Sequence, residues 1–131
     1  MLTSRIWVAT LLMTLGLGLT TPLSTSQEKA GVKQYMYVLR VVPRLHKAEA
    51  WTDMDNTAVS AHFKRLKDAL AKRTVILAGR TNEPLDRTFG IVIFEAKDDS
   101  AARDFMNEDP AVASGVMTAV LHPYSVALLR E

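Results

Sequence analysis

Phe89-Gly90-Ile91-Val92-Ile93-Phe94-Glu95-Ala96 is a nearly unbroken apolar run, rich in β-branched and aromatic residues, and it reads as a strand. A strand with one wet face alternates apolar and polar residues; a strand buried on both faces reads as a run. Working outward, residues 80–88 form a polar loop containing Asn82-Glu83-Pro84, and residues 74–79 (TVILAG) form another apolar strand. Residues 57–73 place Val59, Phe63, Leu66, Ala69 and Leu70 at helical spacing, with Asn56 or Asp55 as N-cap. Residues 44–56 lack periodicity and read as a loop with room for a helical turn. Residues 34–42 (QYMYVLRVV) are a strand that stops at Pro43. On the other side, residues 98–108 set Ala101, Ala102, Phe105 and Met106 on one helical face, capped by Asp98 or Asp99 and ended by Pro110. A turn at 110–114 leads through Gly115 into a last strand, 116–129, with a break expected at 122–124 around Pro123.

The order strand, helix, strand, strand, helix, strand is the split βαβ plan. The predicted fold is therefore α+β and ferredoxin-like (βαββαβ), an antiparallel four-stranded sheet with two helices on one face. Two helices cover only one face, yet all four strands carry apolar runs. No residues remain in the chain to cover the second face, so the pattern predicts a homodimer whose sheets pack face to face.

The N-terminal end has a different grammar. Residues 1–26 contain one charge, Arg5, followed by an uncharged stretch, 6–19, in which 10 of 14 residues are apolar. That is shorter than the roughly 20 apolar residues a bilayer-spanning helix needs. A basic start, a short apolar core and the small residues Ser24-Thr25-Ser26 form a secretory signal, with cleavage expected after Ser26. An uncleaved N-terminal anchor is the competing reading, because Ala-x-Ala is absent. Either way the expected destination is export, periplasmic or secreted, with residues 27–33 as linker and 34–131 as the domain. After cleavage no membrane contact is expected.

Composition narrows the chemistry. Zero cysteines among 131 residues exclude disulfides, thiolate metal sites and a cysteine nucleophile. A net charge of +2 lacks the dense basic patch of a nucleic-acid binder. No Gly-rich phosphate loop or Gly-x-Ser-x-Gly elbow occurs, so no cofactor is expected. His46, His62 and His122 never fall at helical metal spacing, and no metal site is expected. Asp53-Met54-Asp55 starts like a calcium loop, but Ala58 and Lys64 occupy the glycine and bidentate-acid positions.

The candidate site residues each carry two readings. His62 sits between Val59 and Leu66 on the wheel, at the rim of the buried face, where a half-desolvated imidazole suits acid–base work. Locally, a packed histidine bonded to a neighbour explains it as well. Asp109 precedes Pro110 and can N-cap the following turn, or it can be a catalytic carboxylate. The two are compatible, since one oxygen can cap while the other orients an imidazole. Arg80, at a strand end, is a candidate anion holder or a solvated loop arginine. Trp51 is a candidate pocket lid or a loop anchor. His122, before Pro123, reads as a strand-end residue.

The segments His62-Phe63-Lys64-Arg65-Leu66-Lys67, Leu77-Ala78-Gly79-Arg80-Thr81, Gly90-Ile91-Val92-Ile93-Phe94, Asn107-Glu108-Asp109-Pro110-Ala111-Val112 and Leu121-His122-Pro123-Tyr124 resemble the YCII-related family over residues 34–130. The resemblance implies a dimeric α+β barrel and a His–Asp site at His62 and Asp109. It also implies chemistry on small ring compounds, as in dehydrochlorination, on a fold shared with muconolactone isomerases and small monooxygenases. The resulting expectation is an exported lyase or isomerase moving a proton on a small organic acid or ring. The alternative is a non-catalytic ligand-binding or accessory dimer, in which His62–Asp109 is a structural hydrogen bond. The leader and the long 44–56 segment depart from the common pattern.

Overall fold

The computed structural model describes residues 31–130, so the leader and residues 27–30 of the linker lie outside the described residues. β1 (Lys33–Val41) is followed by two 3-10 turns, Pro43–Leu45 and Ala48–Ala50. Then come α1 (Asp53–Ala71), β2 (Val75–Arg80), β3 (Gly90–Ala96), α2 (Asp99–Asn107), the one-turn α3 (Pro110–Ala113) and β4 (Met117–Tyr124). All pairings are antiparallel and the strand order is β2-β3-β1-β4, the expected α+β, ferredoxin-like sheet. Among the described residues no helix is long and apolar enough to cross a membrane.

Strand alternation divides the sheet into two faces. Tyr35, Tyr37 and Leu39 of β1 pair with Phe94, Val92 and Gly90 of β3 and point toward the helices. There they join Leu66 and Ala69 of α1 and Ala102 and Met106 of α2 in one core. Phe94 anchors it: its ring stacks on Phe105 at 4.6 Å and meets Tyr37 edge-on at 5.6 Å. Such aromatic pairs add about 0.5–1.5 kcal/mol each beyond their area burial. The other face carries Met36 and Val38, Ile91 and Ile93, Leu77 and Val120, with Tyr124 at one end. No element among the described residues covers it, and Val120 stands 57% exposed.

Three local expectations are corrected. α1 begins at Asp53, four residues earlier than the periodicity indicated, because Thr52 forms a capping box with Asp55. Asp55 is thus the third helical residue and not the cap, and it also takes a two-pronged ion pair from Arg44 at 2.6 and 3.2 Å. On α1, Phe63 and Leu70 are 64% and 53% exposed, so the buried stripe is narrower than the spacing implied. β4 ends at Tyr124, well short of Leu129. Its partner β1 starts at Lys33, and Gln34 already faces Tyr124, so residues beyond have no strand to pair with. Pro123 is accommodated inside the strand because β4 is an edge strand. The 110–114 turn closes into α3, and Gly115, at φ 75, provides the left-handed residue that ends it.

Candidate active site

Three elements meet at one carboxylate. Asp109 is fully buried and is the N-cap of α3; its Oδ1 accepts the Ala111 amide at 3.0 Å. From β1, the Tyr37 hydroxyl donates to Oδ2 at 2.8 Å. From α1, His62 brings Nδ1 to 2.7 Å from Oδ1 and 2.8 Å from Oδ2. The structure therefore joins the two sequence-predicted residues, with the helix cap and the imidazole contact sharing one side chain.

Protonation follows from these contacts. Burial pushes the Asp109 carboxyl up, but the His62 hydrogen bond and charge, the Tyr37 hydroxyl and the Ala111 amide outweigh it. The net position is below the ordinary carboxylate range. Burial, reinforced by the Asp109 charge and hydrogen bond, drives the Tyr37 hydroxyl well above its usual value, so it keeps its proton and donates. An ionised carboxylate only accepts, so the hydrogen between His62 and Asp109 belongs to Nδ1. In the neutral ring the lone pair is then on Nε2, the geometry of a base oriented by a carboxylate.

His62 is 12% exposed in its side chain and lines a cavity of about 490 Å³ between α1 and the β2–β3 end of the sheet. The walls are mainly apolar, from Leu39, Val59, Leu66, Phe89, Val92 and Met117. Three polar side chains line it: His62, Arg80 and Thr88. Thr88 is spoken for, since its hydroxyl donates to the Thr81 carbonyl at 2.8 Å and ties the ends of the 81–88 loop. Arg80 is exposed, sits on the helix-facing side opposite Gly90, and makes no ion pair among the described residues.

The remaining candidates lie elsewhere. Trp51 does not line the cavity; its indole Nε1 donates to the Leu45 carbonyl at 2.9 Å, which anchors the 44–56 segment over the fully buried Leu45. His122 is exposed on the open sheet face opposite Met36. His46 bonds the Val41 carbonyl through Nε2 at 3.1 Å. No group of three or more His, Asp or Glu side chains among the described residues could hold a metal ion. Sequence reasoning missed Tyr37, which looks like any core aromatic of a strand. The available signal was that a buried tyrosine hydroxyl requires a polar partner.

No protein of curated function matches the chain. Among solved structures, it is similar to 5-chloro-2-hydroxyhydroquinone dehydrochlorinase (TftG) from Burkholderia phenoliruptrix AC1100 in complex with 2,5-dihydroxybenzoquinone. That similarity has a TM-score of 0.53 at 16% identity and covers 70% of this chain and 93% of the other. It is also similar to a mutant of SnoaB, a cofactor-independent oxygenase from Streptomyces nogalater, with a TM-score of 0.41 at 13% identity, covering 76% and 97%. The first of these likenesses concerns the fold alone. A family model for the YCII-related domain matches residues 34–121, a span that holds Tyr37, His62, Arg80 and Asp109. The chain belongs to the YCII-related domain family.

Proposed function

We propose that the protein is an exported homodimeric lyase or isomerase in which His62 moves a proton on a small ring compound or organic acid. One observation carries this reading: a histidine held at Nδ1 by a buried carboxylate lines an apolar cavity of ring-compound size. His62 Nε2 accepts a proton from an acidic C–H or O–H of the bound molecule. The electron pair left behind either forms a double bond as a leaving group such as chloride departs, or shifts so that the proton returns at another atom. Asp109 stabilises the imidazolium formed in the first step. Arg80 holds the negative charge that develops on the ring. The open sheet face, with Val120 and Leu77 exposed, supports pairing with a second copy. The apolar stretch after Arg5 supports export.

A turnover screen of small lactones and of halogenated and hydroxylated aromatics tests the reaction, with chlorinated hydroquinones first because of the fold neighbour's substrate. The expected result is turnover by the wild type and its loss in His62→Ala. Equal turnover in both refutes the role of His62. Binding of these compounds without turnover assigns the cavity to a ligand-binding domain instead.

A further inference from the structure

Two tyrosines on the same face of β1 make parallel contacts with different consequences. The Tyr35 hydroxyl donates to Asp99 Oδ1 at 2.6 Å, and that carboxylate is 71% exposed in its side chain. Two residues on, the Tyr37 hydroxyl donates to Asp109 Oδ2 at 2.8 Å, and that carboxylate is fully buried, with His62 as its one titratable partner besides Tyr37 among the described residues. A hydrogen bond to an exposed carboxylate competes with water. A hydrogen bond to a buried carboxylate is one of the few contacts over which its charge is spread, so it alters what the remaining partner feels.

We propose that Tyr37 is a positioning residue that acts through Asp109: it draws charge away from the imidazole side of the carboxylate and so sets the pH at which His62 titrates. Without the phenol, Asp109 has only the Ala111 amide and the His62 ring as donors. Its negative charge then concentrates toward Nδ1, favouring the imidazolium over the neutral ring. The phenol thereby competes with the imidazole for the charge of Asp109. Among the described residues, the cavity beside His62 holds one other charged group, Arg80 from β2, and Arg65, one turn further along α1, places its charge near the Tyr37 hydroxyl. The Arg65 guanidinium lies 4.3 Å over the Phe105 ring, itself edge-on to Tyr37, and its Nη2 is 3.6 Å from Glu108 at the end of α2. Both arginines persist when the phenol is removed, so they form a common background.

The role matters for the proposed proton transfer and rests on that reading, but its test does not need turnover. The full chain is ¹⁵N-labelled and the His62 ring resonances, assigned by their loss in His62→Gln, are followed from pH 4 to 9 in the wild type, Tyr37→Phe and Tyr35→Phe. Tyr37→Phe is expected to raise the His62 midpoint by about half to one pH unit. Tyr35→Phe, which loses a comparable hydrogen bond at an exposed acceptor, is expected to leave it unchanged. If Tyr37→Phe does not fold, 3-fluorotyrosine incorporation supplies a stronger phenol donor and is expected to lower the midpoint. An unmoved midpoint in Tyr37→Phe, an equal shift in Tyr35→Phe, or an unmoved midpoint with fluorotyrosine overturns the proposal. A shifted midpoint in a protein that turns over nothing keeps the role of Tyr37 and removes the catalytic reading. Turnover with an unmoved midpoint does the reverse.

Discussion

Replacing Asp109 separates its structural and chemical duties. Asp109→Ala removes the acceptor for three donors at once: His62 Nδ1–H, the Tyr37 hydroxyl and the Ala111 amide. Each buried donor left without a partner costs about 1–3 kcal/mol, and partial relaxation brings the expected total to about 3–5 kcal/mol. For a domain of this size each kcal/mol lowers the melting temperature by about 4–8 °C, so a fall of at least about 12 °C is expected. Asp109→Asn keeps an oxygen at the Oδ1 position for the Ala111 cap, while the Tyr37 hydroxyl, at the Oδ2 position, turns to accept from the new amide; asparagine is as good an N-cap as aspartate. Its expected cost is therefore smaller, about 1–2 kcal/mol. The amide, however, presents an N–H where the carboxylate accepted, so the ring must offer a lone pair at Nδ1 and carry its hydrogen on Nε2. That tautomer cannot take a proton from the cavity. Thermal and urea unfolding measure the two costs, and imidazole ¹⁵N shifts report the tautomer. Asp109 is held below its ordinary value in the folded state, so its contribution to stability is present above the unfolded value of about 3.9. It is lost as pH falls through the folded value, and the stability gap between wild type and Asp109→Asn should shrink on acidification below about pH 4. A loss under about 1 kcal/mol for Asp109→Ala, or retention of Nδ1–H in Asp109→Asn, refutes the reasoning.

Arg80→Met should weaken binding of anionic ring compounds about 10- to 100-fold while leaving the melting temperature within a degree or two, because Arg80 is exposed; calorimetric titration checks both halves. Val120→Asp places a charge in the uncovered sheet face, and analytical ultracentrifugation should show the dimer expected of the wild type replaced by monomer. A wild type that is monomeric at micromolar concentration refutes the pairing. Arg73 sits at φ 62 just past the end of α1, and Arg73→Gly should stabilise the chain by about 0.5–1 kcal/mol in urea unfolding. Thr52→Ala should cost about 1 kcal/mol by removing one half of the capping box of α1.

The fold was legible because its signals are local and periodic. The apolar runs of β1, β2 and β3, the Asp98 cap of α2 and the Asp109-Pro110 start of α3 are each decided by a few adjacent residues. The errors fell where pairing decides. The text of residues 126–129 is as apolar as any strand, yet β1 has no residues left to receive it, and Leu128 is 93% exposed. The start of α1 was hidden because Asp55 and Thr52 are both good caps, and only the reciprocal bonds between them fix which residue comes first. At the site, residue type singled out His62 and Asp109 and the family resemblance paired them, but nothing local to either residue shows the contact, because 47 positions separate them and the packing of α1 on α3 makes it. Tyr37 is 72 positions from its acceptor and carries no mark in its neighbours that distinguishes it from Tyr35.

Charge balance in the cavity restricts which molecules the proposed chemistry suits. Asp109 is held ionised, Arg80 is a cation without an ion-pair partner among the described residues, and the proposed proton transfer starts from the neutral His62 ring. If a neutral molecule gives a proton to His62, the products are an imidazolium beside Asp109 and a monoanion beside Arg80. Both new charges then have an opposite partner in a mainly apolar space, where Coulomb interactions are stronger than in water. If the bound molecule already carries one charge, deprotonation leaves a dianion facing a single guanidinium, and the second charge has no partner. The arrangement therefore favours substrates that are neutral before reaction and monoanionic after it, such as phenols, enols and lactones with an acidic α-hydrogen. Across a set of ring compounds matched in size, turnover should track this class, and a carboxylate added to the ring should tighten binding through Arg80 while depressing kcat. A carboxylated compound turned over faster than its neutral parent would show that Arg80 does not meet the developing charge.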